Sequence, residues 1–329
     1  MKVMMLTAGE GTRLRPYTEK CPKPALPFMG VPLLTYPLSL VQGLQPMEIV
    51  FNTYHLPEEL KKCVLNLSFS KARVHFSNES GQIRASAGGL YLARKHFQAE
   101  SEFLLMNGDE VFIPGPSFEI EKILERHRKE KAMATLLVTE NSGVGTRFGG
   151  VWSTDKDQVL DFGKGEKPKE LHGWHYVGHM ILSQEVFAEI TSDDPKNIIY
   201  DVLLTLIKKG AKVLSYPISG SWYETGNKED YLKAHQEVIA GMGNQTFQSQ
   251  WLRKHIEAYE KSHFVIEKRT EALLWRAESS KIHSEAQMRG FGVLGDRVLV
   301  EKNAKFENSV LTDGYVLSEN QVLRNEIGI

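Results

Sequence analysis

Short apolar runs alternate with amphipathic stretches along the chain up to about residue 242. A short apolar run between turn residues predicts a buried strand, and apolar residues at helical spacing predict a helix packed on a sheet. The predicted strands cover 3–6, 47–52, 73–76, 103–106, 134–138, 176–182 and 212–216, with a hairpin at 148–152 and 159–162. The predicted helices cover 34–44, 57–67, 85–96, 118–131 and 198–208. This alternation predicts an α/β protein with a Rossmann-like, doubly wound, mainly parallel sheet.

The C-terminal end of the chain follows a six-residue apolar period instead. One row of apolar residues contains Val298, Ala304, Val310, Val316 and Val322, and a second row contains Leu311, Leu317, Leu323 and Ile329. A six-residue period is the signature of a parallel β-helix, and about six such repeats make roughly two coils. We therefore expect a short left-handed β-helix over 290–329. Two coils without a central histidine argue against an acyltransferase module and favour a role in packing or oligomerisation.

The stretch between these two patterns is rich in charge, glutamine and histidine. Two apolar stripes within it predict two helices of a connector. The stripes are Trp251, Ile256 and Tyr259, and Leu273, Leu274 and Trp275. His255, His263 and His283 lack metal-ligand spacing, so we expect them at the surface. The predicted division is a first domain at 1–242, a helical connector at 243–289 and a β-helix tail at 290–329.

Composition narrows the class of protein. With 329 residues the chain is long enough for one large domain and a smaller one. A net charge of −1 gives no general attraction to nucleic acid or to anionic membranes. The two cysteines lack metal-ligand spacing, and no apolar run approaches the length of a membrane span. Because the first strand begins near Met1, no signal peptide is expected, and we predict a cytoplasmic protein without nucleic-acid or membrane partners.

The first predicted strand ends in a glycine loop followed by basic residues. The loop reads Gly9-Glu10-Gly11-Thr12-Arg13, and Lys23 follows between two prolines. Backbone amides of such a loop can hold phosphate oxygens, and the Arg13 guanidinium suits the same ligand. The loop is not a Walker A motif, and Leu14 occupies the third glycine position of a dinucleotide fingerprint. Since glycine loops without a nucleotide are common in α/β proteins, both interpretations stay open on the loop alone.

Two further stretches follow predicted strands at places where α/β sheets bind ligands. Asn107-Gly108-Asp109-Glu110 places carboxylates after an apolar strand, which suits Mg²⁺ and equally suits a solvated turn. Small residues at Ala85–Gly89 open a helix, which lets a ring or phosphate approach the backbone or lets the helix pack closely on the sheet.

Taken together, these motifs resemble the sugar-1-phosphate nucleotidylyltransferases, also called NDP-sugar pyrophosphorylases. The resemblance covers residues 1 to about 240 and implies the nucleotide-diphospho-sugar transferase fold. It rests on ordered motifs, which are Gly-x-Gly-Thr-Arg with Pro22-Lys23-Pro24, Ala87-Gly88, Asn107-Gly108-Asp109, Glu166-Lys167-Pro168 and Trp222-Tyr223-Glu224-Thr225-Gly226. The chain departs from the family at Arg84, where leucine is usual, at Ala85, where glycine is usual, and at Glu224, where aspartate is usual.

The resemblance assigns roles to individual residues. Arg13 and Lys23 are the expected catalytic residues, and Asp109 and Glu224 are the expected ligands of Mg²⁺. The expected nucleotide-binding residues are Leu6, Ala8, Gly9, Gly11, Thr12, Glu79, Ala87 and Gly88. The expected sugar-phosphate-binding residues are Gly149, Glu166, Lys167 and Gly178.

The implied reaction transfers a nucleoside monophosphate from a nucleoside triphosphate to a sugar-1-phosphate and releases pyrophosphate. The start of the chain and its C-terminal tail resemble the branch that joins GTP and mannose-1-phosphate to GDP-mannose. The alternatives are a uridylyl- or thymidylyltransferase acting on glucose-1-phosphate, and a regulatory homologue that binds nucleotide-sugars without turnover. A homodimer through the C-terminal region is the expected assembly.

Overall fold

A computed structural model describes residues 1–67, 69, 72–166, 168–260 and 262–329 of the chain. The chain divides into two compact units. The first contains Met1–Glu10 and Pro37–Trp222, and the second contains Gly11–Tyr36 and Tyr223–Ile329. The division therefore cuts the predicted glycine loop, because Gly9 belongs to the first unit and Gly11 to the second.

A largely parallel sheet forms the centre of the first unit. The strands of this unit are β1 (Lys2–Leu6), β2 (Glu48–Thr53), β3 (Arg73–Asn78), β4 (Glu102–Asn107), β5 (Val111–Pro114), β6 (Ala134–Thr139), β7 (Gly150–Ser153), β8 (Val159–Gly163), β9 (His172–Ser183), β10 (Val213–Pro217) and β11 (Gly220–Tyr223). Among the described residues the sheet has nine strands, in the order β8-β7-β9-β4-β1-β2-β3, with β6 paired to β9 and β10 paired to β6. Strands β4, β1, β2 and β3 run parallel as neighbours, and β9 runs antiparallel to β4 and β6. The prediction of a mixed α/β protein with a largely parallel central sheet is confirmed.

Helices connect the strands of the first unit. They are α1 (Thr35–Leu40), which crosses the boundary between the units, α2 (Pro57–Leu65), α3 (Ala85–Ala93), α4 (Ile120–Glu130), and α5 (Leu204–Lys208) after a π-helical segment at Ile198–Leu203. The apolar runs of the strands form the core, with Met4, Val50 and Leu105 almost fully buried on three neighbouring strands. Burial of such side chains contributes roughly 1.5–3 kcal/mol each, so these runs hold the sheet together.

The second unit combines the Gly11–Tyr36 segment with two helices and a series of short strands. The helices are α6 (Lys228–Gly241) and α7 (Phe247–Tyr259). The strands are β12 (Phe264–Lys268), β13 (Ala272–Ala277), β14 (Lys281–Ile282), β15 (Gln287–Leu294), β16 (Leu299–Val300), β17 (Lys305–Leu311), β18 (Val316–Leu317), β19 (Val322–Arg324) and β20 (Ile327–Gly328). Two very short strands, Pro27–Phe28 and Val31–Pro32, pair within the N-terminal segment.

The six-residue period of the C-terminal end corresponds to stacked parallel strands. Leu273 pairs with Phe291, 18 positions later, and Val293 pairs with Val310, 17 positions later. Three hexapeptides per coil give this offset. Buried residues of these stacked strands, such as Leu274, Val300 and Leu317, form one apolar cluster inside the stack. The left-handed twist of this coil and the three-part division of the chain stay predictions.

Two predictions about the connector are wrong. Leu273, Leu274 and Trp275 lie in strand β13 and not in a second helix. Three consecutive apolar residues fit a buried strand as well as a helix, so the stripe was not decisive. His255 is buried, with 4% of its surface exposed, and not at the surface. Its ring stacks on Trp251, and its Nε2 atom lies 3.1 Å from the hydroxyl of Thr35.

None of the helices in the described part of the chain is both long enough and apolar enough to cross a membrane.

Candidate active site

The loop after β1 is attached to the end of the neighbouring strand β2. The backbone N–H of Thr7 donates to Oδ1 of Asn52 at 2.6 Å, and the Thr7 hydroxyl donates to the carbonyl of Asn52 at 2.5 Å. Both residues are buried, so these hydrogen bonds are shielded from water. They fix the path of the chain from Leu6 into Ala8 and Gly9, which are predicted to bind the nucleotide.

Asn52 also holds Glu79, a predicted nucleotide-binding residue. Oε1 of Glu79 accepts from Nδ2 of Asn52 at 2.6 Å, and Oε2 accepts from the backbone N–H of Arg84 at 2.7 Å. Glu79 is fully buried, and burial raises the pKa of its carboxyl although the two hydrogen bonds oppose that rise. A Cβ on Gly89 would lie 2.4 Å from Oε1 of Glu79, so glycine is required there. The network links the ends of β1, β2 and β3 to the start of α3.

Sequence reasoning missed Asn52. Its signal was a polar residue near the end of an apolar strand, at the edge where parallel α/β sheets bind ligands. The side chain serves both neighbours, since its oxygen accepts from Thr7 and its nitrogen donates to Glu79.

The first turn of α3 contacts a later segment of the first unit. The N–H of Ala87 donates to the carbonyl of Lys196 at 2.9 Å, and a Cβ on Gly88 would lie 2.5 Å from the carbonyl oxygen of Asp194. The guanidinium of Arg84 lies 3.0 Å from the carboxylate of Asp193. Arg84 therefore ties this segment to the helix, at a position where the family has leucine. The assignment of Ala87 and Gly88 to nucleotide binding stays a prediction.

Replacing Ala85 by glycine is expected to stabilise the protein by about 0.5–1 kcal/mol. Ala85 has φ +53°, a left-handed conformation that costs a non-glycine residue roughly 1–2 kcal/mol. Glycine removes this strain and loses only part of the gain to its greater flexibility in the unfolded chain. The free energy of unfolding in urea measures the change. Ala93→Gly, in the last turn of the same helix, is the control and should destabilise; equal effects of both substitutions would contradict the strain at Ala85.

A second group of predicted residues surrounds the segment after β4. Gly108 lies against the end of β1, since a Cβ there would be 2.4 Å from Cγ2 of Thr7. Glu110 accepts from Nε1 of Trp222 at 2.8 Å and from Nδ2 of Asn107 at 3.3 Å. Gly178 has φ +83°, and a Cβ there would lie 2.4 Å from Cγ of Glu110, so a side chain would collide with the acid.

Asp109 is half-buried beside this group, at the carboxyl end of β4. Mg²⁺ in nucleotide-dependent enzymes takes one or two carboxylates and completes its shell with phosphate oxygens and water. The role of Asp109 as a Mg²⁺ ligand stays a prediction.

Aromatic rings pack beside Glu110. The His175 ring lies 4.0 Å from the Trp222 ring and 5.0 Å from the Phe148 ring, measured between centroids. Burial lowers the pKa of His175 to about 4, so the imidazole is neutral at physiological pH. Within the described part of the chain, neither of its ring nitrogens has a hydrogen-bond partner.

Gly149 and Glu166, two of the remaining sugar-phosphate residues, lie in the connections of the β7–β9 part of the sheet. Gly149 precedes β7, and a Cβ there would lie 2.7 Å from the hydroxyl of Tyr200. Glu166 is exposed. Lys167 lies outside the described residues.

The basic loop belongs to the second unit. Gly11 has φ +63° and precedes a 3₁₀ turn at Thr12–Leu14, which carries the exposed side chains of Thr12 and Arg13. A Cβ on Gly11 would lie 2.9 Å from Cγ2 of Thr18 and 3.2 Å from Cβ of Lys23. The absence of a side chain at Gly11 therefore permits both the left-handed turn and the close approach of Lys23.

Arg13 and Glu224 converge at Gly226 within the second unit. Oε1 of Glu224 accepts from the N–H of Gly226 at 2.6 Å. A Cβ on Gly226 would lie 2.4 Å from that oxygen and 2.5 Å from Nη2 of Arg13. The glycine thus lets the acid and the guanidinium approach the same point. The role of Glu224 as a metal ligand stays a prediction.

The C-terminal strands hold the basic segment in place. Glu326 accepts a hydrogen bond from the Tyr17 hydroxyl, and its other oxygen lies 2.8 Å from Nζ of Lys228. Nε1 of Trp275 donates to the carbonyl of Met29 at 2.9 Å. The segment that carries Arg13 and Lys23 is therefore packed as part of the C-terminal unit, which the sequence did not predict.

Comparison with known proteins identifies the family. The sequence model described as Nucleotidyl transferase matches residues 2–241. The chain belongs to the nucleotidyl transferase family. The match spans both groups of predicted site residues, from Leu6 to Glu224.

Individual relatives of this nucleotidyltransferase carry different names. A UTP–glucose-1-phosphate uridylyltransferase of Synechocystis is 26% identical over 73% of this chain and 64% of its own length. A mannose-1-phosphate guanylyltransferase of Mycobacterium tuberculosis is 24% identical over 73% of this chain and 65% of its own length. A glucose-1-phosphate adenylyltransferase of Bacillus mycoides is 24% identical over 98% of this chain and 90% of its own length. The chain thus spans less than two thirds of the first two relatives.

A solved structure supports the fold. The crystal structure of HddC from Yersinia pseudotuberculosis, complexed with GMP-PN, aligns with a TM-score of 0.58 and 21% identity. The alignment covers 72% of this chain and 98% of HddC.

Proposed function

We propose that this protein joins GTP and mannose-1-phosphate to form GDP-mannose and pyrophosphate. The observation that carries the proposal is that Ala8 and Gly9 follow β1 and that Asp109 follows β4. These strands are parallel neighbours, so both groups lie at the carboxyl edge where α/β sheets bind ligands. The family match over residues 2–241 supports a nucleotidyl transfer in particular.

The proposed reaction needs no base to activate the nucleophile, because the sugar phosphate is already an anion. Catalysis then depends on alignment and on neutralising charge at the reacting phosphates. Arg13 and the amides of Gly11 and Thr12 would bind the triphosphate, and Lys23 would neutralise charge as pyrophosphate leaves. Gly11 and Lys23 are half-buried, and 3₁₀ turns at Thr12–Leu14 and Lys23–Ala25 define the backbone that carries these groups.

Asp109 would hold Mg²⁺, and Glu224 is the proposed second ligand. When bound, the ion neutralises phosphate charge and favours an in-line geometry. Glu166 and Lys167 would orient the sugar and its phosphate, and the absence of side chains at Gly149 and Gly178 would leave room for the sugar ring.

The choice of GTP and mannose-1-phosphate is supported by the Mycobacterium relative, which is named a guanylyltransferase, and by HddC, whose solved complex contains GMP-PN. The Synechocystis and Bacillus relatives, named uridylyl- and adenylyltransferases, make UTP or ATP with glucose-1-phosphate the alternatives.

Pyrophosphate release with purified protein and Mg²⁺ tests the proposal. GTP, UTP, dTTP and ATP are each combined with mannose-1-phosphate and with glucose-1-phosphate. We expect the highest kcat/KM for GTP with mannose-1-phosphate. A higher value for another pair would correct the substrates, and no turnover with any pair would refute the enzymatic function.

A regulatory homologue without turnover is the second candidate. The contacts at the start of α3 favour this second candidate. The carbonyl of Lys196 accepts a hydrogen bond from the N–H of Ala87, and Arg84 forms an ion pair with Asp193. These contacts place protein groups where the family is expected to contact the nucleotide.

A further inference from the structure

Two histidines and a glutamate meet at the opposite end of the first unit's sheet. Glu48 is the first residue of β2, His75 lies on β3, and His96 ends the turn after α3. Oε2 of Glu48 lies 3.6 Å from Nε2 of His75 and 4.0 Å from Nδ1 of His96. One ligand atom from each residue lies within 4.8 Å of the other two. One donor atom of each of the three side chains thus lies close to the donor atoms of the other two.

The environment of the Nε2 atom of His75 is unusual for a polar atom. It is buried, and it has no hydrogen-bond partner in the described part of the chain. Buried polar atoms are nearly always paired, so an unpaired imidazole nitrogen facing a carboxylate needs an explanation. The distance of 3.6 Å to Glu48 is too long for a hydrogen bond but is close to the separation of two atoms that bind one metal ion.

We propose that Glu48, His75 and His96 bind a divalent transition metal of the Zn²⁺ class. Two imidazole nitrogens and one carboxylate oxygen are a donor set that zinc sites use, with water in the fourth position. Zinc–ligand bonds of about 2.0–2.1 Å place tetrahedral ligands roughly 3.3 Å apart. The separations of 3.6 and 4.0 Å reach that value with small side-chain movements.

This site is distinct from the predicted Mg²⁺ site. Glu48 begins β2, whereas Asp109 follows the carboxyl end of β4. The donor chemistry also differs, because imidazoles select zinc-like ions and carboxylates with phosphates select Mg²⁺. A metal here would join β2, β3 and the end of α3, so its role is to stabilise the first unit. The proposal does not depend on the proposed reaction.

Lys2 competes for the same carboxylate. Its Nζ atom lies 3.5 Å from Oε2 of Glu48, and Nη2 of Arg73 lies 2.7 Å from the other oxygen. Arg73 is largely exposed, so its interaction with Glu48 is weak. Nζ of Lys2 also donates to the carbonyl of His96 at 2.7 Å and lies 3.8 Å from Glu100, so the ammonium keeps partners while Glu48 binds the metal.

Zinc titration of the untagged, chelator-stripped full chain tests the site. We expect one Zn²⁺ per chain in competition with a chromogenic chelator, and visible absorption bands of four-coordinate Co²⁺ when cobalt replaces zinc. His75→Asn and His96→Asn should each lower the affinity at least tenfold, because loss of outer-shell partners alone costs about 10–100-fold.

Two control variants isolate the site. His172→Asn removes an exposed histidine 3.0 Å from Asp155 and should leave zinc affinity unchanged. Asp109→Asn should also leave it unchanged, which separates the two metal sites. Circular dichroism confirms that each variant is folded. Absence of saturable zinc binding, or wild-type affinity in the double variant of His75 and His96, would overturn the proposal.

Discussion

Replacing Lys23 by alanine is expected to lower kcat about 10²–10³-fold, the usual effect of removing one charge-stabilising group from a transition state. In the proposed reaction the ammonium neutralises charge on the phosphates as pyrophosphate leaves. The substitution is structurally mild. Alanine keeps the Cβ atom that packs against Gly11, and the backbone hydrogen bond from Leu26 to the carbonyl of Lys23, 3.0 Å long, does not involve the side chain.

Lys20→Ala is the matched control for this measurement. Lys20 is an exposed lysine in the same segment, so its removal changes net charge equally without touching the Gly11–Lys23 contact. We expect near wild-type kcat for Lys20→Ala. Comparable losses in both variants would assign the effect to general electrostatics and not to Lys23.

The same variant separates the two candidate functions. An enzyme should lose rate while nucleotide affinity, measured by calorimetry, changes much less. A regulatory homologue should show no turnover in either form and only weaker nucleotide binding after the substitution. Wild-type kcat in Lys23→Ala would remove Lys23 from the catalytic machinery.

The strands of the first unit could be predicted because their signal is local. Val3–Leu6 and Phe103–Met106 are apolar runs bounded by turn residues, and burial on both faces of a parallel sheet requires that composition. The stripe at Leu273–Trp275 gave an ambiguous signal for the same reason, since a short apolar run fits helix and strand alike.

The connections between distant residues could not be predicted. Asn52 contacts Thr7 across 45 positions of sequence, and Glu326 contacts Tyr17 across 309. The periodic pattern of apolar residues along the sequence gives no information about such pairs. The left-handed backbone of Ala85 was also not predicted. The glycine that the family has at this position is the one signal for it, because glycine adopts that conformation without strain.

Acid is expected to unfold the protein between about pH 6 and pH 4, because several buried histidines are neutral in the native state. Burial lowers the pKa of three histidines, His127, His175 and His179, to about 4. It lowers the pKa of two others, His235 and His255, to about 3. In the unfolded chain each imidazole titrates near pH 6.5.

The sign follows from proton binding. Between the folded and unfolded pKa values the unfolded chain binds more protons, so stability rises with pH through this window and is fully present above about pH 6.5. Each histidine contributes up to about 1.36 kcal/mol per pH unit within the window. Glu79 and Asp313, whose carboxyl pKa values are raised by burial, oppose this slope. Five histidines together approach the total stability of roughly 5–15 kcal/mol within about two pH units.

His235 shows why the neutral form is required. Its Nε2 atom accepts from the N–H of Met29 at 3.2 Å, and Nδ1 therefore carries the proton and donates to the carbonyl of Tyr231 at 2.8 Å. A second proton on Nε2 would face the Met29 N–H directly and break the first contact. Met29 and Lys23 lie in the same packed segment, Gly11–Tyr36. Protonation of His235 in acid would therefore also disturb the packing of the loop that carries Lys23.

Urea unfolding at pH 7.5, 6.5 and 5.5 measures this effect. We expect the free energy of unfolding to fall little between pH 7.5 and 6.5 and steeply between pH 6.5 and 5.5, and His235→Gln to reduce the fall over the lower interval by about 1 kcal/mol. Glutamine keeps an acceptor for the Met29 N–H but does not titrate, so the change in slope is informative even if the variant is less stable overall. His172→Gln, an exposed histidine, should retain the wild-type slope. A wild-type free energy that is constant across this range would mean that these histidines are solvated and titrate normally in the native state.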